Sequence, residues 1–62
     1  MQLGKKLREY QRAKEMTQEQ LSRLLRIDAG TTSRILAGKR GVSIKRLMRI
    51  ARTIGLPPSE LL

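Results

Sequence analysis

The stretch MTQEQLSRLLRIDAGTTSRILAGKR, from Met16 to Arg40, decides the fold of this 62-residue chain. It holds two short runs of apolar residues at helical spacing, and only two or three residues separate them. A connection that tight forces two helices to cross sharply and excludes an antiparallel hairpin. The stretch therefore predicts a helix-turn-helix over about residues 17–37.

The first of these helices begins with the clearest local signal in the chain. Thr17 is a good N-cap, and Gln20 follows three residues later, which is the spacing of a capping box. Met16 and Leu21 stand at the two positions of a hydrophobic staple. We expect the helix to end near residue 25 or 26 and to bury its three leucines, Leu21, Leu24 and Leu25.

The second helix is expected over about residues 29–37, with Asp28 as its N-cap and Gly38 just past its end. Its content is unusual for a helix, because a glycine at position 30 and two β-branched threonines lower helix propensity. Ile35 must face inward and Thr32 shares its side. The opposite side then carries mostly very small residues: Ala29, Gly30, Ser33, Arg34 and Ala37.

A side stripped to small residues lets the main chain of the helix approach another surface closely. A helix fits the major groove of DNA, and its N-terminal turn meets the base edges. We interpret the small residues as serving this approach. The alternative is that they pack against a neighbouring helix of the same chain.

The sequence outside this stretch predicts three further helices. One runs from about Gln2 to Lys14, and one starts after Ser43 and continues to a stop at Gly55. The segment LPPSELL restarts a short fifth helix, with Pro58 in its first turn. The apolar residues of these helices are expected in the core: Leu3, Leu7, Tyr10, Ile44, Leu47, Ile50, Ala51, Ile54, Leu56, Leu61 and Leu62. The prediction is an all-α protein, a compact five-helix bundle forming one domain over residues 1–62.

The composition narrows the function. Fourteen Lys and Arg stand against five Asp and Glu, a formal charge of +9, which indicates a polyanionic partner such as nucleic acid. The absence of cysteine and histidine removes disulfides, the usual zinc sites, thiol nucleophiles and imidazole bases, so neither an enzyme nor a cofactor is expected. No apolar run approaches the ~20 residues of a membrane span, and no signal peptide is visible. We expect a cytoplasmic protein with no membrane partner.

Two sets of residues are candidates for DNA contact. The base-facing candidates are Ala29, Gly30, Thr31, Ser33 and Arg34. Among them, Arg34 is the best reader of a base, because its guanidinium can bond guanine O6 and N7 together. The phosphate-binding candidates lie at helix starts and in the basic loop after the second helix; they are Thr17, Gln18, Lys39, Arg40 and Ser43.

The segments MTQEQLSRLL, TTSRILAGKR and SIKRLMRIARTIGLPPSELL together resemble the phage repressor/Cro-type, or XRE-like, helix-turn-helix domain over nearly the whole chain. The resemblance implies a bundle of five helices that works as a dimer on near-palindromic operators. It implies that Gln18 binds phosphate and that residues at the positions of Ala29, Gly30, Ser33 and Arg34 face the bases.

The chain departs from that family pattern at several positions. Arg26 stands where many relatives carry a turn glycine, and a left-handed conformation is costlier for arginine. Gln11 and Leu36 replace an arginine and a glutamate that many relatives pair, so we expect an apolar contact at Leu36 instead. Ala29 and Gly30 cannot form bidentate bonds to adenine, which favours recognition of DNA shape.

The sequence thus predicts a sequence-specific double-stranded DNA-binding transcriptional regulator, a repressor, that reads the major groove with the helix over 29–37. We expect a homodimer at least on DNA and no small-molecule substrate. The alternative is a protein-interaction or loosely specific DNA-binding module of the same fold, similar to antitoxins or adaptors. A basic amphipathic peptide acting on membranes is disfavoured, because several caps and tight turns predict a folded bundle.

Overall fold

A computed structural model describes residues 1–62 as four α-helices and a terminal turn of 3₁₀ helix. The elements are α1 (Leu3–Ala13), α2 (Gln18–Leu25), α3 (Ala29–Leu36), α4 (Ile44–Ile54) and the 3₁₀ turn (Pro58–Leu61). The all-α class is confirmed, and so is the short connection between α2 and α3. None of the helices combines the length and the apolar character needed to cross a membrane.

The predicted fifth α-helix is wrong in type, because the segment forms only a 3₁₀ turn. The element is only four residues long, which is a single turn and too short for a ladder of i→i−4 hydrogen bonds. Glu60 N donates to Pro57 O at 3.0 Å, the i→i−3 bond of a 3₁₀ helix. The turn still anchors the end of the chain, since Gln2 N donates to the carbonyl oxygens of both Leu61 and Leu62 at 3.0 and 3.1 Å.

The core is built from aliphatic side chains of every element. Its twelve members are Leu3, Leu7, Leu21, Leu25, Ile27, Ile35, Leu36, Leu47, Ile50, Ala51, Ile54 and Leu61, and Tyr10, Val42 and Leu56 pack against them. Leu36 belongs to this core, as the replacement of the family's ion pair predicts.

Three residues expected in the core are exposed instead. Leu24 is 38% exposed, because the buried side of α2 runs through Leu21 and Leu25 and leaves it at the edge. Ile44 is 66% exposed at the first position of α4, before the buried row of that helix starts at Leu47. Leu62 is 59% exposed beyond the 3₁₀ turn.

The helix starts follow the sequence signals closely. Thr17 Oγ1 accepts from Gln20 N at 3.1 Å, and Gln20 Oε1 accepts from Thr17 N at 2.8 Å, which completes the predicted capping box. Asp28 and Ser43 cap α3 and α4 in the same way, each accepting from the backbone N–H three residues later.

All four helices end in a left-handed residue followed by a hydrogen bond that spans five residues. At α3 and α4 the left-handed residue is a glycine, Gly38 or Gly55, whereas at α1 and α2 it is Glu15 or Arg26. Arg26, which stands where many relatives carry a turn glycine, adopts the left-handed conformation with φ of 58°. Nothing in the sequence marked Glu15, whose φ is 52°.

Candidate nucleic-acid interface

Two faces of α3 are sharply divided. Thr31, Thr32, Ile35 and Leu36 are buried, and they fix the helix to the rest of the bundle. The exposed side carries the small residues and the arginine that the periodicity places there: Ala29, Gly30, Ser33, Arg34 and Ala37. The small residues do not pack against a neighbouring helix. This leaves a smooth, narrow surface about two turns long.

Thr31 departs from the prediction that it faces the bases. It is only 7% exposed. Its hydroxyl donates to Asp28 Oδ1 at 2.7 Å, and its backbone N–H donates to Asp28 Oδ2 at 2.9 Å. Thr31 is buried because it lies four residues before buried Ile35 and therefore on the same side of the helix. Thr31 supports the site from beneath and has no exposed surface for a base.

Asp28 fixes a negative charge at the start of α3. Hydrogen bonds from the Thr31 hydroxyl and then from the Thr31 backbone hold the pKa of the Asp28 carboxyl below its ordinary value. The carboxylate is therefore ionised at neutral pH, where it favours the positive end of the helix dipole.

The start of α2 meets the start of α3. Gln18 Nε2 lies 3.5 Å from the carbonyl oxygen of Ala29. The phosphate candidate Gln18 therefore lies next to the first turn of α3, which carries base-facing candidates. Thr17 uses its hydroxyl oxygen and its N–H inside the capping box. The remaining N–H groups of the first turn of α2, beginning at Gln18, have no partner within the helix and point outward.

The other phosphate candidates follow the C-terminal end of α3. Lys39 and Arg40 are exposed in the connection to α4, directly after the left-handed Gly38. Ser43 caps α4 and lines an open cleft of about 230 Å³ with Lys45, Arg46 and Arg49. The start of α2 therefore lies beyond the N-terminal end of the small-residue face. The basic loop and the start of α4 lie beyond its C-terminal end.

The charge is distributed unevenly along the chain. Residues 29–59 contain seven Lys and Arg and no Asp or Glu. The ion pairs of the structure lie elsewhere, between Lys6 and both Glu9 and Glu60, and between Arg23 and Glu19. No cation of α3, of the α3–α4 connection or of α4 lies within 4.0 Å of a carboxylate oxygen, so this part of the chain keeps a net positive charge that attracts a polyanion.

Two arginines to which the sequence analysis assigned no role bind the C-terminal ends of α2 and α3. Arg8 of α1 donates to the carbonyl oxygen of Leu36, the last residue of α3. Arg49 of α4 donates to the carbonyl oxygen of Leu25, the last residue of α2, at 3.0 Å. Each guanidinium caps a helix C-terminus, where a cation is favoured. Basic residues are so common in this sequence that nothing in their pattern singled out these two.

Gly4 is a further positioning residue that the sequence analysis missed. A methyl group at Gly4 would lie 2.6 Å from the carbonyl oxygen of Ile35, too close for any side chain. The glycine lets α1 press against the C-terminal part of α3 and so sets the height at which α3 projects. A glycine inside an amphipathic helix was the available signal.

Comparison with known proteins identifies one family model that matches nearly the whole chain. A family model described as a helix-turn-helix domain matches residues 2–62. The searches of curated proteins and of solved structures found no match.

Proposed function

The chain belongs to the helix-turn-helix domain family, and from this membership we propose that it is a sequence-specific double-stranded DNA-binding transcriptional regulator, acting as a repressor. The observation that carries the proposal is the exposed face of α3, where small residues surround a single arginine. A face of this shape suits the major groove, which is about 12 Å wide and admits a helix. Helix-turn-helix proteins place the second helix of the motif there.

Ala29 and Gly30 stand at the end of α3 that meets base edges first. With no side chain beyond Cβ, they allow the main chain to approach the bases closely and to contact thymine methyl groups through Ala29. Ser33 offers one hydroxyl, and Arg34 offers the fork that matches guanine O6 and N7. Direct readout therefore depends mainly on Arg34.

The phosphate contacts position the helix in the groove. Thr17 and Gln18 serve one end of α3, while Lys39, Arg40 and Ser43 serve the other. Such contacts carry no sequence information, but they supply most of the affinity and make it strongly dependent on salt. We propose that two copies bind together, on half-sites about one helical turn apart.

A loosely specific DNA-binding module is the alternative that one observation favours. Neither Ala29 nor Gly30 has a side-chain donor or acceptor, so shape and deformability of the duplex would carry much of the selectivity. In either case the proposed protein acts in the cytoplasm on nucleoid DNA and needs no cofactor or small-molecule substrate. We assign it no catalytic role.

Selection from a random duplex pool, performed with the wild-type chain and with R34A, tests the proposal. We expect a motif of two related half-sites, in which R34A loses preference at one base position per half-site. That loss should correspond to about 1–3 kcal/mol of discrimination. A steep decrease of affinity with salt but no enriched motif would contradict specific regulation and support the loosely specific module.

A further inference from the structure

We propose that Asp28 is a specificity-determining residue of the DNA site, which orients the Arg34 guanidinium over Gly30 and keeps it from resting on phosphates. The inference deepens the proposed function and rests on it. It assigns a role in recognition to a carboxylate that otherwise serves only as a helix cap.

Three residues form the arrangement. A methyl group at Gly30 would lie 3.3 Å from Asp28 Oδ2 and 3.7 Å from Arg34 Nη2, so the two charged groups approach the same point above the glycine. Arg34 lies four residues after Gly30, and long helical side chains point back toward the N-terminus. A methyl group at position 30 would make an ordinary van der Waals contact with the guanidinium, whereas at 3.3 Å it would crowd Asp28 Oδ2, which Thr31 holds in place.

The carboxylate is a fixed partner, because both of its oxygens are already held. Oδ2 accepts from Thr31 N at 2.9 Å and Oδ1 accepts from the Thr31 hydroxyl at 2.7 Å. Thr31 is itself buried, so the position of the negative charge is set by the core. A carboxylate has about four lone-pair sites, which leaves room to attract Arg34 as well.

Two consequences follow for DNA recognition. The guanidinium is drawn toward the N-terminal turn of α3, the part of the helix that meets base edges, before any duplex arrives. The same negative charge repels phosphate groups near that turn. Both effects favour an Arg34–guanine contact over an Arg34–phosphate contact, so Asp28 raises discrimination and lowers non-specific affinity.

Two variants separate this role from folding. D28N removes the charge but keeps a side-chain oxygen that can cap α3. G30A adds a methyl group that would crowd Asp28 Oδ2 at 3.3 Å and so shift the carboxylate relative to Arg34. Because alanine is the better helix former, the gain in helix propensity offsets part of that crowding. E60Q is the matched control for D28N, because it also removes one carboxylate but does so in the 3₁₀ turn.

The experiment measures binding of the full chain to the duplex selected by the wild-type protein, to the same duplex altered at the Arg34 position, and to a scrambled duplex. We expect D28N and G30A to lower discrimination at that position by about three- to fivefold, as for a surface charge pair. D28N should also bind the scrambled duplex more tightly than E60Q does. Thermal melting of each variant checks that the fold is retained.

The outcomes separate the role of Asp28 from the proposed DNA-binding function. If the wild-type chain selects a motif and R34A alters it, while D28N and G30A discriminate as the wild type does, the role of Asp28 is overturned and the proposed function stands. If the wild-type chain selects no motif, both are overturned.

Discussion

Helices α2 and α3 are the same length, eight residues each, and both start at a side-chain cap and end at a left-handed residue. Their outward sides are nevertheless opposite in character. Outside α2 lie long polar side chains, among them Glu19 and Arg23, which pair with each other at 2.8 Å. Outside α3 lie alanines, a serine and a glycine around one arginine.

The difference shows what each surface is built to meet. Long side chains that pair with one another satisfy their charges in water, and such pairs are typical of a solvated helix face. Gly30 and Ser33 lower the helix propensity of α3, and nothing within the chain covers the small residues of its exposed face. The outward side of α2 is thus a solvated polar face, whereas the outward side of α3 is the face that we propose a DNA duplex covers.

The largest expected effect is on DNA affinity, when one negative charge is added to the outward side of either helix. S33E should weaken binding to the selected duplex by about 100-fold or more, because a carboxylate without a partner would be buried against the bases. Q20E should weaken it only about two- to threefold, through long-range repulsion that salt screens.

The control is built into this pair, since glutamate is as good as glutamine at the third position of a capping box. Equal losses of affinity for S33E and Q20E, measured by titration at fixed salt, would remove the distinction between the two helix faces.

The next effect is on the free energy of unfolding, when the left-handed residue that ends α2 or α3 is replaced. R26G should stabilise the protein by about 0.5–1 kcal/mol, because it relieves the left-handed strain of an arginine, less the larger entropy of glycine in the unfolded chain. G38A should destabilise it by about 1 kcal/mol. A methyl group at Gly38 would meet no atom within 4 Å, so this change would report conformation alone.

Denaturant unfolding measures the change in stability for both R26G and G38A. R26A is the control for R26G, because it removes the same charge while alanine stays strained at a φ of 58°. Stabilisation by R26A equal to that by R26G would show that charge repulsion, and not backbone strain, is what glycine relieves.

A smaller effect is the pH dependence of stability, which should differ between the caps of α2 and α3. The folded state holds the pKa of Asp28 below its ordinary value, so the ionised carboxylate stabilises the fold. That contribution is present at neutral pH and is lost as the pH falls from about 4 through the lower folded pKa. Thr17, which caps α2, does not titrate.

We therefore expect the free energies of unfolding of wild type and D28N to converge as the pH falls below about 4. T17A should instead lie below the wild type by a constant amount, about 1 kcal/mol, over the same range. A difference between wild type and D28N that does not change with pH would contradict the assignment of this charge.

Local signals in the sequence were sufficient for most of the fold. The caps Thr17, Asp28 and Ser43 and the stop at Gly38 act within one helical turn, so their residues alone determine them. The inward-facing stripe of α3 follows from its period in the same way. The failure at Ile44 has a different origin, because burial at a helix end depends on where the neighbouring elements lie.

The candidate site was less fully predicted than the fold, for two different reasons. Thr31 was assigned to the bases on its chemistry, although its position four residues before Ile35 already placed it inside. Arg8 and Arg49 act on carbonyl groups 28 and 24 residues away in sequence, and no local pattern encodes such contacts. The arrangement of Arg34 over Gly30 likewise requires coordinates.

The central claim is that duplex DNA covers the exposed face of α3, and thiol protection tests it most directly. The chain has no cysteine, so S33C and S59C each introduce a single exposed thiol, one on α3 and one in the 3₁₀ turn. With saturating selected duplex, we predict that alkylation of S33C slows by about tenfold or more, as expected for a surface buried in a protein–DNA interface. Alkylation of S59C should be unchanged. If the duplex binds and S33C still reacts at its free rate, α3 is not the surface that meets DNA.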